Sequence, residues 1–121
     1  FTSEKFLFPN IIHPSAILSN EIKLESGVQV LAGGIIQQGC QIGSNTIINT
    51  KSSVDHDSII GKNCHIAPGA TVCGNVVIGD NTFIGAGTTI INNINIGQNC
   101  LIAAGSIIYR DINDNSTHKE S

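Results

Sequence analysis

From Ile12 onward, every sixth residue is a branched aliphatic: Ile12, Leu18, Leu24, Val30, Ile36, Ile42, and so on without a miss to Ile102 and Ile108. A period of six held over about a hundred residues is not the 3.6 of an amphipathic helix or the simple alternation of a long strand. Four residues after each aliphatic stands a small or apolar residue, as in Cys40, Thr46, Ser52, Ser58, Cys64 and Ala70. Two inward positions with one residue between them describe a short strand with alternating faces, and the remaining residues then form a bend. Asn and Gly cluster at those bends, as in Ile78-Gly79-Asp80-Asn81 and Ile96-Gly97-Gln98-Asn99. They supply the tolerance of positive φ that tight corners require.

Three such units close into a triangular coil, so that position n of one coil lies under position n + 18 of the next. The sequence therefore predicts an all-β fold, a parallel β-helix of about six coils, roughly 27 Å long at the usual strand spacing. The repeat assigns residues 12–113 to the helix, 1–11 to a lead-in segment and 114–121, polar and without the pattern, to a mobile C-terminal tail. Cys40, Cys64 and Cys100 fall in the small inward position and read as core filler, while Cys73 lies outside it. No Cys-x-x-Cys pair suggests a zinc site or a redox motif.

Composition narrows the function classes. Apolar residues make up 40% of the chain, charged residues 12% and aromatics 4%, and Ile is the commonest residue type. That aliphatic content excludes a disordered chain and favours strands. The net charge of −3, with no Lys or Arg run, gives no footprint for nucleic acid or an anionic membrane. No apolar stretch is long enough to span a bilayer and no signal peptide opens the chain, so a cytoplasmic location is expected.

Four histidines stand out from a repeat that needs none. His13 and His118 read as structural or exposed. His56 and His65 lie in SSVDHDSIIGKNCHIAPGA, the least generic part of the repeat. Nine residues apart, they are half a coil apart and on different sides of the triangle. A single site using both lies between two chains, a corner of one prism facing a side of the next, which makes a cyclic homotrimer the natural assembly. Stacking by 18 places Gly74 directly over His56. A base beside a free N–H is the pair that acyl transfer needs, one group taking the proton of the nucleophile and the other receiving the oxyanion. The same arithmetic puts Pro68, Ala86 and Ala104 in one column, a groove with room for an extended ligand such as a pantetheine arm.

The segments Val54-Asp55-His56-Asp57, His65-Ile66-Ala67-Pro68-Gly69-Ala70, Gly74-Asn75-Val76 and Ile84-Gly85-Ala86-Gly87 resemble the hexapeptide-repeat sugar acetyltransferases. The likeness is to the sialic-acid O-acetyltransferase and nucleotide 4-amino-sugar N-acetyltransferase group. It implies a left-handed coil, a homotrimer, acetyl-CoA as co-substrate, no metal, and a sugar or nucleotide-sugar acceptor whose amine or hydroxyl is acetylated in bacterial glycan synthesis. It further implies that His56 is the general base, oriented by Asp57. His65 would meet the acetyl end of the coenzyme, Gly74 N–H its thioester oxygen, Ala86 and Ala104 would line its channel, and Asn49 would help place the acceptor. Members of the group usually begin with a small βαβ domain for the nucleotide sugar, so acceptor determinants are expected outside residues 1–121. Many also end in a Gly-x-Pro-Ala-Lys segment, where this chain runs Tyr109-Arg110-Asp111-Ile112-Asn113 into DNSTHKES.

Three other readings compete. A zinc enzyme of the γ-class carbonic anhydrase kind needs three convergent histidines and a close His-x4-His pair, which the sequence lacks. An ice-binding helix would show regular threonine ladders, whereas Thr here is scattered. An inactive assembly subunit on the same scaffold is the principal alternative.

Overall fold

The computed structural model of the protein describes residues 8–119. Among them, eighteen strands of two residues each are separated by short corners, from β1 (Ile11–Ile12) to β18 (Thr117–His118). They line up in three parallel sheets. The first has seven strands and runs from β1 through β7 (Ile47–Ile48), β10 (His65–Ile66), β13 (Phe83–Ile84) and β16 (Leu101–Ile102) to β18. The second has six and includes β8 (Ser53–Val54) and β17 (Ile107–Ile108); the third has five and includes β9 (Ile59–Ile60) and β12 (Val77–Ile78). Strand partners are one full coil apart, as where His65 pairs with Ile47 on one side and Phe83 on the other. The result is a parallel β-solenoid of about six turns, as the period requires.

The second residue of each strand points inward. From Val30 to Ile108 the whole aliphatic series is buried, and Ile36, Ile48, Ile66, Ile84, Ile90 and Ile102 are sealed completely. Each such side chain contributes about 1.5–3 kcal/mol through area removed from water. Ile12, Leu18 and Leu24, which form the first described coil, are only partly covered.

The small inward position does more than fill space. Several of its residues donate to backbone carbonyls of the following coil: Thr46 Oγ1 to Gly61 O at 2.7 Å, Cys64 Sγ to Gly79 O at 3.1 Å, Thr82 Oγ1 to Gly97 O at 2.8 Å. In each of these pairs the acceptor is fifteen positions on from the donor. Ser52 and Ser106 donate instead within their own coil, to Asn49 O and Ala103 O. These hydrogen bonds satisfy polar atoms inside a core where an unpaired one would be costly. All four cysteines are free thiols, with Cys40, Cys64 and Cys100 buried and Cys73 half-buried.

The corners divide two tasks. From Gly27 to Gly105 the left-handed conformation falls on one residue per corner, for example Asn63 (φ 56°), Asn81 (φ 60°) and Asn99 (φ 56°) on one edge. Asn accepts this region because its short amide bonds locally. The glycines that follow the aliphatics act differently. Gly79 has no positive φ, but a β-carbon on it would stand 2.6 Å from Gln98 N of the next coil, so close approach of backbones selects it.

The C-terminus departs from the sequence expectation. Asp114 to Lys119 do not stand off as a free polar tail. Thr117 pairs with Leu101 and His118 with Ile102, extending the first sheet by a strand. These partners lie two positions closer in sequence than those of every earlier coil, and so do Ile96 and Ile112, which form an isolated bridge. Two residues are missing from the final coil, which hid it from a six-residue search. The same contraction brings the Cys100 thiol to Asn113 O, again two positions nearer than the carbonyls that Cys64 and Thr82 reach. Residues 1–7 of the lead-in and 120–121 of the tail lie outside the described residues. Among the described residues, no helix is long and apolar enough to cross a membrane.

Candidate functional site

His56 occupies the corner between the second and third sheets, directly after β8. Asp55 begins that corner, its Oδ1 accepting from His56 N–H at 2.9 Å. Asp57 follows in the left-handed conformation (φ 59°), its N–H donating to Gln38 O. These local constraints turn the two side chains toward each other. His56 Nδ1 lies 3.2 Å from Asp57 Oδ2. A carboxylate only accepts, so Nδ1 carries the hydrogen and Nε2 keeps its lone pair when the ring is neutral. The side chains of His56 and Asp57 are 49% and 58% exposed, so their pairing adds little to folding.

Gly74 lies one coil further on, as the stacking of coils requires. A β-carbon there would stand 2.5 Å from His56 Nε2 and 2.7 Å from Cε1, so the imidazole occupies the space that a side chain would fill. The glycine is not needed for the turn, because the left-handed φ falls on Asn75. Gln38, His56, Asn92 and Arg110 hold the equivalent corner position in other coils, so a side chain fits there wherever no imidazole lies beneath. Among the described residues the Gly74 N–H donates to no acceptor.

Ser58 adds a feature that the period alone hides. Its hydroxyl donates to Cys73 O at 2.9 Å and accepts from Val76 N–H at 3.1 Å. Cys73 C=O and Gly74 N–H belong to one planar peptide, so this grip on the carbonyl fixes where the N–H points. In the sequence Ser58 is one of many small inward residues. Its bond to a carbonyl one coil on, read together with the place of Gly74, singles it out.

His65 stands on the outer face of β10 in the first sheet, the side opposite the corner of His56. Its Nε2 is 2.9 Å from Asn49 Nδ2, and its ring meets the Phe83 ring edge-on at 5.2 Å. The Asn49 carbonyl oxygen accepts from Thr50 N–H at 2.7 Å, which turns the amide NH2 toward His65. The ring therefore accepts at Nε2 and keeps a hydrogen on Nδ1. Asn49 thus joins His65, not His56. Ala86 and Ala104 are exposed on the edge between the first and second sheets, and β-carbons on the adjoining Gly87 and Gly105 would meet nothing within 4 Å, leaving that edge open.

One chain does not bring the two histidines together. A surface concavity of about 330 Å³ is lined by Lys23, Gly43, Gly61, Lys62 and Asp80, on the third sheet and its edge. It contains neither histidine. Among the described residues, no three His, Cys, Asp or Glu side chains gather as a metal-binding group.

Comparison with known proteins follows the same lines. The sequence pattern of the family described as bacterial transferase hexapeptide (six repeats) matches residues 39–74 and 75–110. A histidine-to-asparagine variant of perosamine N-acetyltransferase from Caulobacter crescentus, solved in complex with CoA and GDP-perosamine, superposes with a TM-score of 0.91 at 38% identity. The match covers 93% of this chain and 53% of that one. The acetyltransferase domain of PglB from Neisseria gonorrhoeae FA1090, in complex with acetyl coenzyme A, gives 0.91 at 35% identity over 93% and 55%. WeeI from Acinetobacter baumannii AYE gives 0.83 at 25% over 86% and 51%. The chain thus spans about half the length of these structures. No curated protein sequence matches it significantly. On the match across residues 39–110, in register with the coils described above, the chain belongs to the bacterial transferase hexapeptide family.

Proposed function

We propose that this chain is the acetyl-transfer module of an acetyl-CoA-dependent sugar N-acetyltransferase, acting on the amine of a nucleotide-linked amino sugar. The observation that carries the reading is the stacking of His56 Nε2 over Gly74 with Nδ1 held by Asp57. It occurs on a fold shared at 35–38% identity with structures described as perosamine N-acetyltransferase and acetyltransferase domain of PglB, solved with CoA and acetyl coenzyme A.

In this reading Nε2 of His56 takes a proton from the sugar amine as its nitrogen attacks the thioester carbonyl. The new N–C bond places negative charge on the carbonyl oxygen, and the Gly74 N–H, aimed by Ser58, donates to it. Collapse breaks the C–S bond, and the imidazolium returns its proton to the departing CoA sulfur. The imidazole ends as it began, so no further acid or base is needed.

The coil is left-handed and the working unit is a homotrimer. Support for the trimer is the placement of His56 on a corner and of His65 and Asn49 on the opposite side, next to the exposed apolar side chains Phe83 and Leu101. A neighbour's corner laid against that side unites both histidines and covers those apolar groups. His65, whose Nδ1–H has no acceptor among the described residues, then meets the acetyl end of the coenzyme, which runs along the open edge of Ala86 and Ala104. Asn49 holds His65 with one amide hydrogen and offers the other to the acceptor.

The test is consumption of acetyl-CoA thioester by the purified protein across nucleotide-linked amino sugars, GDP-perosamine among them, with sialic acids as hydroxyl acceptors. Amine-dependent turnover lost in His56→Ala is expected. A folded trimer that binds acetyl-CoA yet turns over none of these acceptors would favour the inactive-subunit reading.

A further inference from the structure

Among the described residues, nine other than glycine hold a left-handed φ, and Asp57 is the one of these that carries a carboxylate. Its corner column runs Gly39, Asp57, Asn75, Asn93, with φ of 79°, 59°, 58° and 66°. The carboxylate is held from two sides. Oδ2 meets His56 Nδ1, while Oδ1 lies over the α-carbon of Gly39, one coil toward the N-terminus, where a β-carbon would collide with it. The next atoms such a β-carbon would meet are Asp57 Cγ at 3.0 Å and Asp57 Cα at 3.5 Å. A side chain at position 39 would therefore press on the movable end of Asp57, with the backbone at ordinary contact distance.

We propose that Gly39 is a positioning residue for the transfer reaction: its missing β-carbon is the seat that keeps the Asp57 carboxylate on His56 Nδ1. This rests on the reading of His56 as the base. A neutral imidazole has two tautomers, and the one that accepts a proton at Nε2 carries its hydrogen on Nδ1. An exposed ring has little else to choose between them. With the seat filled, the carboxylate swings away and part of the population presents an N–H, not a lone pair, over Gly74. The dyad is thus bracketed by two glycines one coil to either side, Gly74 leaving room for the ring and Gly39 for the carboxylate.

Gly27 is the matched reference. Its φ is 76°, and a β-carbon on it would collide in the same way with Asn45 Oδ1, on the corner between the third and first sheets. Gly27→Ala thus carries the same backbone cost and the same displaced ladder oxygen, away from His56. The experiment compares Gly39→Ala, Gly39→Asn and Gly27→Ala by steady-state acetyl transfer and by 15N NMR of the His56 ring. Asn at position 39 adds the β-carbon in a residue that accepts left-handed φ, which guards against misfolding.

The expected result is a kcat at least about tenfold lower in both Gly39 variants, a loss of the kind produced by a wrong histidine tautomer. KM for acetyl-CoA should stay unchanged and the ring should shift from Nδ1–H toward Nε2–H. Gly27→Ala should change neither. Combining Gly39→Ala with Asp57→Ala should lower kcat no further than Asp57→Ala alone. A folded Gly39 variant with the kcat and tautomer of Gly27→Ala overturns the proposal. If instead His56→Ala turns over normally, the base assignment falls, and the ring NMR still decides whether Gly39 seats the carboxylate.

Discussion

His56 and Gly74 occupy neighbouring rungs of one corner, with Nε2 of the ring 2.5 Å from the point where a β-carbon on Gly74 would stand. Because the left-handed φ of that corner belongs to Asn75, Gly74→Ala carries no backbone strain and displaces only the imidazole. The expected outcome is a melting temperature within a few degrees of the parent and a kcat lower by about 10²-fold or more. Calorimetry and initial rates on the same preparation check it; an active Gly74→Ala protein would remove the stacking from the mechanism.

His56→Ala should cost about 10²-fold or more in kcat, the usual size of a lost general base. Both members of the dyad are about half exposed, so secondary structure and melting should be unaltered. Circular dichroism beside the transfer assay separates the two effects.

Ile78→Asp should abolish folding, since the side chain is 1% exposed and the carboxylate would find no partner in the core. Val77→Asp, one residue away but facing outward at 39% exposure, should fold. Far-ultraviolet dichroism of the pair tests the register directly, and a folded Ile78→Asp chain would contradict it.

Leu101→Asp, on the exposed apolar side that carries His65, should give monomers by light scattering, with the secondary structure kept and acetyl transfer lost. An active monomer would show that one chain completes its own site.

Burial, opposed in part by backbone hydrogen bonds, pushes the Cys40 and Cys64 thiols above the ordinary 9.0. Unfolded thiols keep the ordinary value, so above about pH 9 the unfolded chain releases protons that the folded chain retains. Stability should therefore be level below that pH and fall as pH rises through it. Cys40→Ser and Cys64→Ser together should flatten the fall in alkaline denaturation curves. Thiol reagents at neutral pH should reach Cys73, slowly, and leave these two intact.

The inward series from Val30 to Ile108, the coil length and the stacking of Gly74 on His56 were all legible in the sequence, because a strict period turns numbering into position. What escaped it was whatever broke or overlaid that period. The two-residue contraction hid β18, and a polar stretch read as a tail took its place. Ser58 and Gly39 looked like ordinary corner and core residues, since their roles depend on which peptide or carboxylate lies one coil away. Asn49 was expected to help place the acceptor, but its bond to His65 was not foreseen, because that pairing is set by amide orientation, which no spacing encodes.

The shortened coil also bears on how regularly the rungs can stack. A helix of parallel rungs ends in a ring of unused backbone donors and acceptors, an invitation to grow head to tail into fibres. Here the turn that reaches His118 is two residues tighter than the turns before it. Where every preceding strand of the first sheet places an aliphatic, it turns in His118, whose Nε2 is enclosed with no partner among the described residues. A coil matched to one side of that triangle is out of step on the next, so the eighteen-residue rung spacing of the earlier coils does not fit onto it unchanged.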